Sequence, residues 1–286
     1  MGSRQLAAIV IVFLATACSG RPASVPPDLL VISTTSVWGD VTVNVVGAAA
    51  RVEVLMPAGT DPHEFQPSAR QTALLEEADL VIANGLGLEG NLVDRLEGTD
   101  AEVLELGPAL DPLLIGGGHD PHVWLDPLRV AEAVELIAGR LPGVEGERAG
   151  SYREELLATH QQVEWLLADV PPERRLLVTN HHFLGYLADR YRLEVVGTII
   201  PGTSTLAEPS PGELAELARV IRETGVPAIF VEADAPTPLA EAVAEEAGDV
   251  EVVTLFIESL GPPGSGGETY LGLLLTNAER IAEALR

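Results

Sequence analysis

This chain of 286 residues has only one cysteine, Cys18, and no lysine. A single cysteine excludes an internal disulfide bond and a thiolate metal site in the folded body. The formal net charge of −26 argues against binding to nucleic acids or anionic lipids, since both need a basic protein surface. Hydrophobic residues make up 47% of the chain, which excludes a disordered protein and is enough for a well-filled core.

The N-terminal segment has the features of a secretory signal. Arg4 precedes the apolar stretch Leu6–Ala15, which is far shorter than the roughly 20 residues that span a bilayer. Small residues then lead directly to Cys18, as at a bacterial lipoprotein cleavage site. We interpret residues 1–27 as signal peptide and tether, with lipid on Cys18 as the only membrane attachment. The protein would then lie on the outer face of the cell membrane or in the periplasm. An ordinary signal with an incidental cysteine, or a short uncleaved anchor, is the alternative.

Short apolar runs alternate with helical patterns in the rest of the chain. Each run is rich in valine, isoleucine or leucine and ends at turn residues, which is typical of buried strands. We predict strands at 29–35, 51–56, 79–85 and 101–106, and again at 175–180, 194–199, 227–233 and 251–257. Because such runs alternate with helices, they indicate parallel sheets covered on both faces. The predicted fold is α/β with two lobes, each a mostly parallel four-stranded sheet flanked by helices.

A long helical pattern separates the two halves of the chain. Its apolar face consists of Tyr152, Leu156, Val163, Leu167 and Val170, and His160 falls on the same face as a packed core residue. A helix of about 25 residues would be roughly 37 Å long, enough to join two lobes. We therefore divide the chain into signal peptide and tether (1–27), N-terminal lobe (28–144), linker helix (145–172) and C-terminal lobe (173–286).

Four side chains with metal-binding chemistry follow predicted strands or, for His122, lie in the turn after LLIGGGHD. They are His63, His122, His181 and Glu258. Parallel sheets present functional groups at strand ends, and three imidazoles with one carboxylate make a full tetrahedral set for a divalent metal. His63 and His122 each stand in an Asp-Pro-His triplet, where the proline restricts the backbone and would hold the ring at a fixed angle.

Each of these residues also has an ordinary structural explanation. An Asp-Pro-His triplet is commonly a surface turn, His181 could be a packed ring at a helix start, and Glu258 could cap a helix. The closely spaced metal motifs, such as HExxH or paired Cys-x-x-Cys, are absent from the sequence. Spacing alone therefore leaves a joint metal site and four unrelated turns both open.

Six segments, taken together and in order, resemble the metal-binding solute-binding proteins of bacterial ABC transporters for zinc and manganese. They are GTDPHEFQPS (59–68), NGLGLEG (84–90), DPHVWLDP (120–127), NHHFLGYLADRYRL (180–193), IFVEADAP (229–236) and ESLGPPGSGGETYLGLLLTN (258–277). The resemblance runs over nearly the whole chain after the signal segment. It implies two α/β lobes joined by one long helix, with the metal buried in the cleft between them.

The resemblance also implies the ligand set. The first two family histidines fall on His63 and His122, and the third falls on His181 rather than His182, because Gly-Tyr follows it four residues later. The fourth family ligand is usually aspartate in the turn after the last strand, where this chain has Glu258. That departure keeps Glu232 and Asp234 as alternative fourth ligands.

The surroundings of His122 raise two further questions. Many zinc-type members carry a long histidine-rich loop before this ligand, whereas this chain has only IGGGHD, with His119 as a solvated histidine or a weak capture ligand. Asp120 and Asp126 flank His122, and either one could orient its second ring nitrogen or simply shape the turn.

With histidine at the third ligand position, this chain resembles the zinc binders of the family. Family members with glutamate at that position resemble manganese binders. Imidazole suits zinc and oxygen-rich sites suit manganese, so we expect Zn²⁺ in preference to Mn²⁺. The expected function is a non-enzymatic extracytoplasmic receptor that delivers Zn²⁺ to an ABC permease, with a metallochaperone considered as a second partner. The alternatives are a manganese receptor and a secreted zinc hydrolase or lyase that uses Glu258 as a base.

Overall fold

Two separate parallel sheets organise the chain. The computed structural model describes residues 29–115, 118–141, 144, 146–248 and 250–286, so the signal segment and Cys18 lie outside the described residues. Within the described ranges, no helix combines the length and the apolar character needed to cross a bilayer.

The first sheet has the strand order β2-β1-β3-β4, with all neighbours parallel. Its strands are β1 (Leu30–Ser33), β2 (Arg51–Val54), β3 (Leu80–Ala83) and β4 (Glu102–Glu105). The helices of this half are α1 (Ser36–Val46), α2 (Ala69–Glu77), α3 (Val93–Gly98) and α4 (Pro127–Ala138). A small antiparallel pair, β5 (Leu114–Ile115) and β6 (Gly118–His119), precedes α4. We call this half the N-terminal lobe.

The second sheet repeats the arrangement with the order β10-β9-β7-β8. The long helix α5 (Gly146–Ala168) separates the two halves in sequence. The strands of the second half are β7 (Leu176–Thr179), β8 (Glu194–Thr198), β9 (Ala228–Glu232) and β10 (Glu251–Leu255). Its helices are α6 (Gly185–Tyr191), α7 (Pro211–Thr224), α8 (Pro238–Ala247) and α9 (Tyr270–Leu285). We call this half the C-terminal lobe.

The predicted fold class and all eight predicted strands are confirmed, and every strand ends one or two residues before the C-terminal end of its predicted run. The run at 29–35 shows why. Its last residue, Thr35, leaves the sheet because its hydroxyl caps α1 by accepting from the amide of Trp38. Helices α2 and α7 begin in the same way, with full capping boxes at Ser68 and Ser210.

Helix α5 joins the two lobes by packing against both. Its 23 residues extend about 34 Å, and it contacts α1 and α4 of the N-terminal lobe and α9 of the C-terminal lobe. Tyr152, Leu156, Val163 and Leu167 form its buried face, as predicted. Val170 is also buried but lies beyond the end of the helix, because α5 ends at Ala168 before the two prolines.

Buried polar contacts fasten the lobes together beside α5. The indole Nε1 of Trp124 donates to the carbonyl of Ile257 at 2.9 Å, and the hydroxyl of Tyr270 donates back to the carbonyl of Trp124. Arg190 binds both carboxylate oxygens of Asp126 at 3.0 and 2.6 Å. These contacts cross directly from one lobe to the other.

Candidate metal centre

The four side chains singled out in the sequence converge between the two sheets. His63 follows β2, His122 lies just before α4, His181 follows β7 and Glu258 follows β10. Each offers one ligand atom, and these four atoms all lie within 4.8 Å of one another. All four residues are buried, with at most 4% of their surface exposed. Each sheet therefore contributes groups from its carboxyl edge to one common point.

The separations match a tetrahedral metal site. Oε1 of Glu258 lies 3.0 Å from Nε2 of His122, 3.4 Å from Nε2 of His181 and 3.7 Å from Nε2 of His63. Nε2 of His122 and Nε2 of His181 are 3.2 Å apart. Ligand atoms at about 2.1 Å from a tetrahedral zinc ion lie about 3.4 Å from one another.

Two buried polar atoms of the cluster support the same conclusion. Nε2 of His63 and Oε2 of Glu258 form no hydrogen bond with any described residue. Buried polar atoms are nearly always paired, so atoms left unpaired in a shared cavity indicate a missing partner. A divalent cation at the centre of the four ligand atoms is a fitting partner for both.

The two Asp-Pro-His triplets share the same local hydrogen bond. Oδ1 of Asp61 accepts from the amide of His63 at 2.8 Å, and Oδ1 of Asp120 accepts from the amide of His122 at 3.0 Å. The aspartate closes the turn and the intervening proline fixes its backbone. The duplicated triplet thus places two imidazoles, one from each turn, at defined angles to the cluster.

Buried carboxylates contact the second nitrogen of two of the rings. Oδ1 of Asp120 lies 2.6 Å from Nδ1 of His122. Oε1 of Glu232 lies 2.7 Å from Nδ1 of His181, although outside the direction of an ideal N–H hydrogen bond. Such contacts favour the proton on Nδ1 and leave Nε2 free for a metal.

Asp120, and not Asp126, is therefore the aspartate that orients His122. Asp126 caps α4 by accepting from the amide of Leu128, and it pairs with Arg190. Glu232, an alternative ligand in the sequence, stands behind His181 and outside the four-atom cluster. Glu232 was a candidate ligand because it is an acid at the end of a predicted strand. The sequence alone does not distinguish a metal ligand from a residue that contacts a ligand.

The remaining candidate residues lie outside the cluster. Asp234 lines a neighbouring cavity. The Nδ1 of His182 is 3.9 Å from Asp120, and His182 is not among the four residues whose ligand atoms converge. His119 is exposed on β6, consistent with a solvated histidine. His160 is half-buried, and its Nδ1 bonds the hydroxyl of Tyr191 at 3.0 Å.

Without a metal, the cluster holds protons strongly, because its buried charges shift the pKa values of the ligand side chains. Burial lowers the pKa of His122, but the charges of Glu258 and Asp120 outweigh it and raise that pKa to about 10. Burial likewise lowers the pKa of His181, but the effects of Glu232 and Glu258 are larger, so the pKa is raised overall. For Glu258, burial raises the pKa, and the three imidazoles bring it well below its ordinary value. The metal-free site is thus a buried imidazolium–carboxylate cluster, in which a cation can replace the proton.

Asp120→Ala is expected to lower zinc affinity by about ten- to a hundredfold, since His122 loses the carboxylate that orients its ring. Competition with a chromophoric chelator would measure the change. Asp126→Ala is the matched control, because it removes a buried aspartate that touches no ligand. It should cost about 1 kcal/mol or more of unfolding free energy through the lost helix cap, and further stability through the lost pair with Arg190, while leaving zinc affinity within about threefold. Equal losses of affinity in both variants would contradict the assignment.

The chain matches a known protein family over most of its length. The family described as zinc-uptake complex component A, periplasmic (ZnuA) matches residues 31–284. The zinc-binding protein TroA of Treponema pallidum is 32% identical over 287 residues, which cover 94% of this chain and 90% of that protein. The manganese-binding lipoprotein MntA of Halalkalibacterium halodurans is 29% identical over 290 residues, covering 97% and 96% of the two chains.

A solved structure shares the fold described above. The periplasmic zinc-binding protein TroA from Treponema pallidum superposes with a TM-score of 0.83 at 30% identity, covering 90% of this chain and 99% of that one. The Mn-bound periplasmic metal-binding protein from Candidatus Liberibacter asiaticus, 23% identical, has the same fold with a TM-score of 0.80.

Proposed function

The chain belongs to the ZnuA family of periplasmic metal-binding receptors, and from this premise we propose that its cargo is Zn²⁺. Members of the family are non-enzymatic substrate-binding components of ABC transporters for zinc or manganese, so the chain is a metal-binding receptor with a permease as its partner. The receptor acts outside the cytoplasm, in the periplasm or on a lipid anchor.

The proposal depends on one observation, the buried cluster of three imidazoles and one carboxylate. We assign His63, His122, His181 and Glu258 as the four ligands. A site of three nitrogens and one oxygen suits zinc, whereas manganese prefers a larger set of oxygen ligands. Four protein ligands also close the site, as delivery requires, while catalytic zinc keeps one position for water.

Release of the ion would require the cleft to open. The contacts of Trp124, Tyr270 and Arg190 cross between the lobes, and a wide hinge rotation would break all of them at once. We therefore propose that release uses a small tilt or a local loop movement around α5.

Membrane attachment is the second part of the proposal. We propose that Cys18 carries the lipid anchor, supported by the small residues before it and by relatives that are named lipoproteins. Loading by a metallochaperone stays a prediction from the short loop before His122.

Competition between zinc and manganese tests the choice of cargo. Purified metal-free protein should bind one Zn²⁺ and prefer it over Mn²⁺ by on the order of a thousandfold, or about 4 kcal/mol, because imidazole nitrogens dominate the site. Metal analysis after dialysis against both ions at equal concentration gives the ratio. Bound manganese equal to or above zinc would favour the manganese receptor instead.

A further inference from the structure

The turn that carries His122 is held by a side chain of the opposite lobe. The carbonyl of Asp120, in the N-terminal lobe, accepts a hydrogen bond from the hydroxyl of Tyr186 at 2.6 Å. Tyr186 is buried and lies in the first turn of α6, in the C-terminal lobe. The contact therefore crosses between the lobes at the residue whose carboxylate orients His122.

The same hydroxyl completes the small hairpin of β5 and β6. The hairpin pairs Leu114 with His119, so Leu113 and Asp120 form the next pair along the two strands. The amide of Asp120 donates to the carbonyl of Leu113 at 2.9 Å. The amide of Leu113 instead donates to the hydroxyl of Tyr186 at 3.0 Å, and that hydroxyl donates on to the carbonyl of Asp120. Only a group that both accepts and donates can bridge these two backbone atoms, so a phenyl ring would leave both without a partner.

Gly185, the residue before Tyr186, leaves room for the carboxylate of Asp120. Its φ is not positive, so the backbone itself does not require glycine. A Cβ atom at this position would lie 2.5 Å from Oδ2 of Asp120, which is well inside van der Waals contact. Oδ1 of the same carboxylate is held by the amide and by Nδ1 of His122, at 3.0 and 2.6 Å. A side chain on residue 185 would therefore move the carboxylate that orients His122.

The segment that makes these contacts also supplies the third ligand. His181 lies four residues before Gly185, and its ring centroid is 5.1 Å from that of His122. Residues 181–186 therefore provide one imidazole of the cluster and hold the turn that provides another.

We propose that Tyr186 and Gly185 are positioning residues of the metal centre, which fix Asp120 and through it the ring of His122. The inference rests on the proposed function, because it takes His122 as a metal ligand. Neither residue offers an atom to the four-ligand cluster, so both act through Asp120. Because the same segment carries His181, the first turn of α6 couples a ligand of one lobe to a ligand of the other.

Zinc affinity of the full chain, measured by chelator competition, gives the first test. Tyr186→Phe removes only the hydroxyl and should lower the affinity by about tenfold, the lower end of the range for losing a group that orients a ligand. Gly185→Ala should lower it by a similar factor, and it tests the same point without removing any hydrogen-bonding group. Thermal unfolding of the metal-free variants shows whether each is folded.

The chain offers a matched control for each variant. Tyr191→Phe removes a hydroxyl from the same helix, one that bonds Nδ1 of His160 at 3.0 Å. Gly212→Ala adds a methyl group in the first turn of α7, where the nearest atom to the new Cβ is 4.0 Å away. Both controls should keep zinc affinity within about threefold of wild type, because neither residue contacts the turn of His122.

A proton signal reports the positioning directly. In the zinc-bound protein, the Nδ1 proton of His122 faces Asp120, and a short hydrogen bond of this kind gives a proton NMR signal far downfield. The signal is assigned by its loss in Asp120→Ala. It should move upfield in Tyr186→Phe and Gly185→Ala and stay in place in the two controls, whereas a general loss of stability would not move it.

A double-mutant cycle separates positioning from independent effects. Without the carboxylate of Asp120, a methyl group on residue 185 has nothing to displace, so Gly185→Ala should lower the affinity of Asp120→Ala by less than about twofold. Fully additive losses would overturn the proposal. Wild-type affinity and an unmoved proton signal in both Tyr186→Phe and Gly185→Ala would also overturn it, and would leave the receptor function intact. A wild-type protein that binds no zinc would overturn the proposed function and this inference with it.

Discussion

Glu258→Ala should lower zinc affinity by at least about a hundredfold. Structural zinc sites with four ligands bind with roughly 10–16 kcal/mol, or about 3 kcal/mol for each ligand, and a hundredfold corresponds to about 2.7 kcal/mol. Glu258 is also the only anionic ligand of the four, and its Oε1 lies within 3.7 Å of all three imidazole nitrogens. Its removal therefore takes from the site both a ligand and the negative charge that attracts the three imidazole rings.

Two variants make this result specific. Asp234→Ala removes a carboxylate from the cavity that Glu258 also lines but outside the four-atom cluster, and it should change zinc affinity by no more than about threefold. Glu258→Asp keeps the charge on an acid that is one methylene shorter, and it should recover most of the affinity lost in Glu258→Ala. Chelator competition at a single pH measures all three variants.

The same variant separates a receptor from a zinc enzyme. In a hydrolase or lyase, three histidines would hold zinc with a water molecule, and Glu258 would act as the base. Glu258→Ala would then keep its zinc and lose only turnover. Retention of zinc affinity within about fivefold of wild type would contradict the receptor assignment.

The fold was largely predictable because its signals are local. Each strand is a short apolar run that ends at turn residues, and α5 carries one continuous apolar face, so neither depends on distant contacts. The strand ends were less predictable. Thr35 extends an apolar run in sequence but caps α1 in the structure, and propensity does not distinguish these two roles.

The site was predictable only in part, because its geometry depends on residues far apart in the chain. Strand-end placement made His63, His122 and His181 candidates, but only the family resemblance brought them to one point. Asp120 and Asp126 flank the same histidine, but only Asp120 orients its ring. Asp126 instead pairs with Arg190, which lies 64 residues away in the chain. Nothing near His122 in the sequence indicates that pairing.

The pH range of metal binding is the second large effect. Ordinary histidines, with a pKa near 6.5, would lose zinc only below about pH 6. In the folded metal-free protein the pKa of His122 is raised to about 10, since Glu258 and Asp120 outweigh the effect of burial. His122 therefore keeps its proton throughout the neutral range, and zinc has to displace it.

The sign of the effect follows from this competition. Below about pH 10, each unit of falling pH should reduce the apparent zinc affinity about tenfold for one displaced proton. Between pH 8 and pH 6 we expect a loss of about a hundredfold, already under way well above the pKa of an ordinary histidine.

Calorimetry at pH 7 in two buffers of different ionisation enthalpy counts the protons directly, and at least about one proton, that of His122, should leave for each zinc bound. Asp120→Asn removes one of the two charges that raise the pKa of His122, so it should flatten the pH dependence as well as weaken binding. An affinity that stays constant between pH 8 and pH 7, with no proton released, would show that His122 is already neutral before the metal arrives. The imidazolium–carboxylate cluster would then be the wrong description of the metal-free site, even if all four ligands were correct.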